Sequence, residues 1–308
     1  MADLSEHRRW YAEDLGLRVP IRRNPRIIDA FAAVPRERFL GPGPWRLLPD
    51  VRPDLPFTTP NDDPAWPYHD VLVTIDPKRG LNNGMPSFWA GNFDQLDLKA
   101  GQRVLQIGAG VGYYSAVLAE LVGAHGRVTA VEYDADLAAR ARDNLAAWTQ
   151  VEVVAGDGTT HDAGEVDVIV VFAGSTHPAP LWLDRLAPGG QLLMPLTGEN
   201  WRGFLLLVTR STEHDRFDAR SAGGVGIFPC AGNRDDEAAK RLTLALQELF
   251  ASAPRTSKPD RPIQAAPRIQ SMFDLPIQAL HRGGPGADDA NRVWYAGPGF
   301  WLERKSAD

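Results

Sequence analysis

From Arg103 onward the chain alternates short apolar runs with amphipathic ones. RVLQI, RVTAVE, VEVVAG, VDVIVVF, QLLMPL and GFLLLVTR are rich in β-branched residues, and the first few are separated by the helical stretches YYSAVLAELVG and DADLAARARDNLAAW. Such runs are too continuously apolar to leave one face wet, so they predict parallel βαβ units in a sheet covered on both sides. Upstream, Asn24 reads as an N-cap and Pro25 as a first-turn residue of a helix with Ile27, Ile28, Phe31 and Val34 on one face. YHDVLVTI reads as a short strand. Trp89, Phe93 and Leu96 recur at helical spacing, so Pro86 is expected to open a second helix. Near the end, DDEAAKRLTLALQELF places Leu242, Leu246 and Leu249 on a shared helical face, and RVWYAG and GFWLERK predict two strands around an Ala-Gly-Pro-Gly turn.

Two stretches break the pattern. Residues 41–67 are dense in proline, which excludes a regular helix or a central strand and predicts a long loop. Trp45, Phe57 and Trp66 favour an ordered loop, because chains that stay unfolded are poor in aromatics. APRTSKPDRPIQAAPRIQ, residues 253–270, reads as a linker or surface connection. The chain thereby divides into an N-terminal helical region with a proline-rich insertion (1–67), a central α/β domain (68–230) and a C-terminal helix, linker and strand pair (231–308).

Composition narrows the function classes. A chain of 308 residues holds one sizeable α/β domain with additions, and no apolar run reaches the length of a membrane span. The amino terminus mixes charges of both signs and lacks a secretory h-region, which reads as cytoplasmic. Net charge is −6 with scattered lysine and arginine, which argues against a nucleic acid partner. Cys230 is the single cysteine, so an internal disulfide and a cysteine metal cage are excluded, and a small buried residue is expected there. The histidines are dispersed without ligand spacing, and no metal is expected.

Chemistry concentrates in VLQIGAGVGYYSA. Gly108, Ala109, Gly110 and Gly112 follow a strand and precede a helix, where backbone can approach a ligand and helix N–H groups are unpaired. Glu132 ends the next strand, where a carboxylate accepts hydrogen bonds from ribose hydroxyls. A dinucleotide site would carry GxGxxG, whereas this loop is GxGxG followed by Tyr113, so the spacing leans away from NAD without excluding it. The third strand ends in AGDGT, where Asp157 is placed to accept from an adenine amino group and Gly158 allows close approach.

Taken together, VLQIGAGVGYYSA, VEYD, VVAGDGT and LAPGGQLLMPL resemble the motif series of class I S-adenosylmethionine-dependent methyltransferases. VPRERFLG, YHDVLVTI, Tyr113 directly after the loop and GDGT narrow the likeness to the protein-L-isoaspartate O-methyltransferase family, over about Asn24 to Pro229. The resemblance implies an α/β fold, a doubly wound, mostly parallel seven-stranded sheet with an antiparallel edge strand, here with N- and C-terminal additions. It also implies S-adenosyl-L-methionine as cofactor, held by Gln106, Gly108, Ala109, Gly110, Gly112, Tyr113, Glu132, Tyr133, Asp157 and Gly158. The substrate would be a peptide, protein or small-molecule carboxylate.

Two departures stand out. Where the family reads Thr-Ile-Ser-Gln-Pro, with the serine holding the substrate carboxylate, this chain reads NNGMP: Pro86 matches the proline and Gly84 stands at the serine. Asn82, Asn83, Ser87 and the N-terminus of the Pro86 helix are candidate replacements for positioning an acceptor. A plain Asn-Gly turn, with the asparagines capping the helix, is the competing reading. Gln106 stands where many methyltransferases carry an acidic residue. His177, in FAGSTHPAP after the fourth strand, is a further candidate for orienting substrate, with Ser175 and Thr176 beside it. The sequence therefore points to a carboxylate O-methyltransferase, with a hydroxyl or amine methyltransferase, a catalytically silent adaptor and an NAD-dependent oxidoreductase as alternatives.

Overall fold

The computed structural model describes residues 4–49, 55–213, 216–252 and 275–305, and packing divides the chain into two units, Met1–Gly156 and Asp157–Asp308. In the first unit, helices α1 (Ser5–Arg18) and α2 (Arg26–Ala33) lead into a small sheet of β1 (Arg46–Leu48), β2 (Phe57–Thr58), β3 (Leu72–Asp76) and β4 (Leu81–Asn82). Then come α3 (Pro86–Leu96), β5 (Arg103–Ile107), α4 (Tyr113–Val122), β6 (Arg127–Glu132), α5 (Ala135–Asn144) and β7 (Val151–Ala155). Strands β5, β6 and β7 pair in parallel, with Ile107 opposite Val131 and Glu132 opposite Ala155. This register brings the end of β6 level with the glycine loop that follows β5. Helix α4 packs on all three strands, and α2 packs on α4.

The reading of residues 41–67 needs one correction. The segment is ordered, as its aromatics suggested: Trp45 and Leu47 join Leu40 and Val73 in a small core, with Trp66 packed against it. A central strand was expected to be barred, yet β1 lies between β2 and β3 in the order β2-β1-β3-β4. The reason is local. Arg46-Leu47-Leu48 contains no proline, so three residues suffice to pair with both neighbours.

Asn24 also departs from expectation. Pro25 occupies the N-cap of α2, with no side-chain cap bond, because the Asn24 side chain is used elsewhere: Nδ2 donates to Leu98 O at 2.9 Å and Oδ1 accepts from Arg26 Nε at 3.2 Å. Pro86 does open α3, and Trp89, Phe93 and Leu96 are its buried face.

In the second unit, β8 (Val166–Val171), α6 (Pro180–Arg185), β9 (Leu186–Thr197), β10 (Arg202–Arg210) and β11 (Phe217–Gly226) precede α7 (Asp236–Ser252), β12 (Ile277–Arg282), β13 (Val293–Gly297) and β14 (Phe300–Arg304). Strands β8 and β9 pair in parallel, and every later pairing is antiparallel, in the order β8-β9-β10-β11-β12-β14-β13. The antiparallel part is thus broader than one edge strand, because the terminal strands continue the ladder beyond β11. Leu242 and Leu246 are buried on α7, and Cys230 is buried as expected. The linker expected at 253–270 lies outside the described residues. Among the described residues, no helix is long and apolar enough to cross a membrane, and no group of three His, Cys, Asp or Glu side chains is placed to hold a metal.

Candidate active site

The glycine loop of the first unit has the backbone its sequence demands. Gly108, Gly110 and Gly112 have φ values of 80°, 57° and 92°, a region that side chains strongly disfavour. At Gly112 a Cβ would also stand 2.7 Å from Leu145 Cδ1. Gly108 and Ala109 both donate their N–H to Val131 O, at 2.8 and 3.1 Å. The carboxylate of Glu132, only 8% exposed, accepts from Gly110 N at 2.7 Å through Oε2 and from Asp134 N at 3.0 Å through Oε1. Burial holds this carboxyl above the ordinary range, against the pull of those N–H groups. Each oxygen retains a second lone pair, so the group is an acceptor fixed at the mouth of the loop. Tyr133, its neighbour, is 64% exposed.

Gln106 is fully buried, and its Oε1 accepts from Ser115 Oγ at 2.6 Å. Tyr113 was expected at the cofactor, and Tyr114 is its neighbour at the start of α4. Both are buried in an aromatic cluster with Phe31, and Tyr113 also meets Phe39. Tyr113 Oη lies 3.3 Å from Tyr11 Oη, and Tyr114 Oη donates to Gly84 O at 3.1 Å.

The NNGMP segment is neither an open anion seat nor a pair of helix caps. Asn82 Oδ1 accepts from Gly84 N at 2.9 Å, an Asx turn. Asn83 Oδ1 accepts from Val73 N at 3.0 Å and from Arg36 Nη2 at 3.3 Å. Gly84 has φ 77°. The N–H at the start of α3 expected to meet an anion is taken by the protein itself: Ser87 N donates to Asp70 Oδ1 at 2.8 Å, and the Asp70 side chain is 9% exposed. The positive end of α3 thus already holds a carboxylate.

Sequence reasoning passed over Asp70 and Arg36, although both sit inside the quoted family motifs YHD and VPRERFLG. Arg36 is fully buried and donates to Pro67 O, His69 O and Val71 O at 2.6, 2.7 and 2.7 Å, so one guanidinium fixes the chain that carries Asp70 and also holds Asn83. A charge in the motif that directly follows a helix was the available signal; its partners, more than thirty residues away, were not readable.

In the second unit, Asp157 Oδ1 accepts from Thr159 N and Thr159 Oγ1, both at 2.8 Å, and Gly158 O accepts from Trp182 Nε1 at 2.8 Å. His177 is half-buried; burial depresses its imidazole below the ordinary range, partly offset by the charge of Asp235. Its Nδ1 lies 2.9 Å from Thr176 Oγ1, which itself accepts from Asp235 N at 3.0 Å. Asn233 Nδ2 donates to His177 O at 2.7 Å, and Arg234 donates to Gly174 O, Thr197 Oγ1 and Gly198 O at 3.1, 2.7 and 2.8 Å. The 174–177 loop is therefore held by the segment that enters α7.

Among the described residues, the buried side-chain polar atoms without a partner are Arg8 Nε, Arg36 Nε, Asn83 Nδ2, Gln106 Nε2 and Ser175 Oγ. Three belong to residues singled out from sequence, Asn83, Gln106 and Ser175. An unpaired buried donor costs about 1–3 kcal/mol, so each of these atoms is a candidate contact for an ordered water or a bound group.

The family model and similar curated relatives give one family. Residues 59–231, more than half of the chain, match the family described as Protein-L-isoaspartate(D-aspartate) O-methyltransferase. The protein-L-isoaspartate O-methyltransferase of Methanothermobacter thermautotrophicus is 31% identical over 234 residues, covering 74% of this chain and 97% of the relative. That of Methanoculleus marisnigri is 40% identical over 212 residues, covering 67% and 84%. A Plasmodium falciparum chain described as a protein-L-isoaspartate O-methyltransferase, solved in complex with S-adenosyl-L-homocysteine, shares the fold with a TM-score of 0.56 at 18% identity, over 73% of this chain and 99% of that one.

Proposed function

Because the chain belongs to the protein-L-isoaspartate O-methyltransferase family, we propose that it methylates a carboxylate oxygen of a peptide or small molecule. The chain is an S-adenosylmethionine-dependent methyltransferase. The cofactor supplies a methyl group already activated by a sulfonium charge, and a carboxylate is ionised at neutral pH, so the protein needs no general base. Its task is to align the reactants and exclude water.

The observation that carries this reading is the fixed Glu132 carboxylate, locked to Gly110 N at 2.7 Å in a loop whose Gly108, Gly110 and Gly112 present no side chains to bar close approach. Glu132 is the residue we assign to the ribose hydroxyls. The unpaired Gln106 Nε2 is a buried donor suited to an anionic group at the end of β5. Gly108, Ala109, Gly110 and Gly112 supply the approach, and Asp157 and Gly158 follow directly on Gly156, whose N–H donates to Glu132 O at 2.9 Å. We assign acceptor positioning to Asn83, whose Nδ2 is an unused donor, with Arg36 holding its amide in place. Asn82 shapes the turn, and the backbone N–H of Ser87 is taken by Asp70.

One observation favours a second reading. The Asp70 carboxylate on Ser87 N suits an amine or hydroxyl acceptor better than another anion. One assay separates the two. The protein is supplied with methyl-labelled S-adenosylmethionine and isoaspartyl peptides, and volatile methanol released by base is counted. Carboxyl esters release it, whereas ether and amine methyls do not. Transfer without base-labile methanol would overturn the carboxylate reading.

A further inference from the structure

We infer that a cleft in the first unit, between one face of α1 and residues 61–69, binds a cationic side chain flanking the methylated residue of a peptide acceptor. This rests on the peptide-acceptor reading above. The cleft has a volume of about 620 Å³ and is lined by Trp10, Tyr11, Asp14, Asp63, Trp66 and Tyr68 among others. That size falls within the range of small-ligand sites, about 300–1,000 Å³. The glycine loop is not part of its wall.

Three features set its chemistry. The first is aromatic. Trp10 is 60% exposed, an expensive placement for the largest apolar side chain, while Trp66 across the cleft is held by a hydrogen bond from Nε1 to Asn61 Oδ1 at 2.8 Å. Tyr11 and Tyr68 meet edge to face with centroids 5.6 Å apart. Indole and phenol faces attract cations.

The second is charge. Arg18 is the guanidinium of the cleft, and it is already engaged by Asp14 at 2.6 Å and faced by Asp70 at 3.9 Å. Asp63 has no cationic partner among the described residues; its Oδ1 accepts only from Ala65 N, at 3.0 Å. Two lining carboxylates, Asp14 and Asp63, against one lining guanidinium leave a surplus of negative charge beside two tryptophans. His7 and His69 complete the lining, and the test is made at pH 8.

The third is position. Tyr68 and His69 in the cleft wall run directly into Asp70, which bonds Ser87 N in the first turn of α3, the residue directly after the NNGMP segment. Tyr11, also in the wall, touches Tyr113 at the start of α4. A peptide held by the cleft therefore shares its supporting chain with the segment assigned to the acceptor. The wall residues 61–67 lie in the proline-rich stretch, so this would be a specificity device of that insertion.

The test uses the full chain, ¹⁵N-labelled, and follows the indole N–H resonances of Trp10 and Trp66, assigned with Trp10→Phe and Trp66→Phe. The probes are the blocked peptides Ac-Gly-Arg-Gly-NH2, Ac-Gly-Gln-Gly-NH2 and Ac-Gly-Glu-Gly-NH2. The arginine peptide is expected to shift both resonances and saturate about fivefold to tenfold below the glutamine peptide, with the glutamate peptide weakest. Asp63→Asn should reduce the preference for arginine, and Trp10→Ala, a change at an exposed position, should weaken arginine binding without altering the thermal shift given by S-adenosylhomocysteine. Equal responses to the three probes, or shifts that spare both indoles, overturn the inference. If the arginine peptide binds but no peptide is methylated, the peptide-acceptor reading fails and takes the flanking-residue assignment with it. If peptides are methylated with KM values indifferent to a flanking arginine or glutamate, the cleft assignment alone fails.

Discussion

Restoring the family's serine by Gly84→Ser should damage the protein rather than improve it. The φ of 77° at Gly84 lies in the left-handed region, which costs an L residue about 1–2 kcal/mol. A Cβ there would stand 3.0 Å from Trp89 Nε1 and 3.1 Å from Tyr114 Cε2. Neither ring can retreat easily, since Trp89 and Tyr114 are 2% and 5% exposed, and overpacking of this kind costs about 1–3 kcal/mol. Together the substitution should destabilise the fold by about 2–5 kcal/mol. In a unit of this size that lowers Tm by about 4–20 °C. Urea titration followed by tryptophan fluorescence gives the free energy, with Gly84→Ala as control. Alanine and serine should agree within about 0.5 kcal/mol, because backbone and Cβ carry the effect. Methyl transfer should not rise in either. A serine variant as stable as the parent, or one that gains activity, would refute the reasoning and return Gly84 to the status of a simple lost hydroxyl.

Glu132→Gln should weaken S-adenosylhomocysteine binding about 10-fold to 100-fold, as expected for hydrogen bonds made to a charged acceptor, measured by calorimetry at pH 8. In the parent, burial raises the Glu132 pKa, so the folded state favours the protonated form: its contribution to folding stability is present in acid and lost as pH rises through the folded pKa. Binding runs the other way, and affinity for S-adenosylhomocysteine should begin to fall on acidification at a pH above that of an ordinary glutamate. His177 has a depressed pKa, so the unfolded chain binds its proton more readily; stability should drop as pH falls below about 6.5, and His177→Gln should flatten that slope. Gly112→Ala meets φ 92° and Leu145 Cδ1 at 2.7 Å, and should cost at least about 1–2 kcal/mol and abolish the thermal shift with S-adenosylhomocysteine.

The parts of the site that were legible in sequence are those whose chemistry is local. Gly108 to Gly112 need their φ values whatever surrounds them, and Glu132 follows from strand length and register. The helix at Pro86 was readable from the spacing of Trp89, Phe93 and Leu96 because that face has only to be apolar. The failures share a cause. Asn24 was an apt cap by type, but Leu98 and Arg26 use its amide. Residues 41–67 were read through their prolines, while the proline-free triplet at β1 found partners on both sides.

Asp70 is the most instructive of these. By type, the start of α3 was a vacant anion seat, since it offers free N–H groups and the favourable end of a dipole. What fills it comes from seventeen residues earlier, through Ser87 N, and Asp70 is held there because Arg36 clamps the carbonyls on either side of it, His69 O and Val71 O. A second anion at the same N-terminus would meet a carboxylate already in place, and like charges in a part-buried site repel strongly. On the carboxylate reading proposed above, an acceptor is therefore better served by a donor other than Ser87 N. We assign that role to Asn83 Nδ2, whose orientation is not free: with Oδ1 committed to Val73 N and Arg36 Nη2, the amide cannot flip without breaking both bonds. Arg36 thus holds the stretch that carries Asp70 to the start of α3 and fixes the amide we assign to the acceptor. Arg36→Lys keeps the charge but cannot span four acceptors, so it should raise KM for a carboxylate acceptor more than it changes S-adenosylhomocysteine binding. Equal losses in both would mean that Arg36 serves the fold alone.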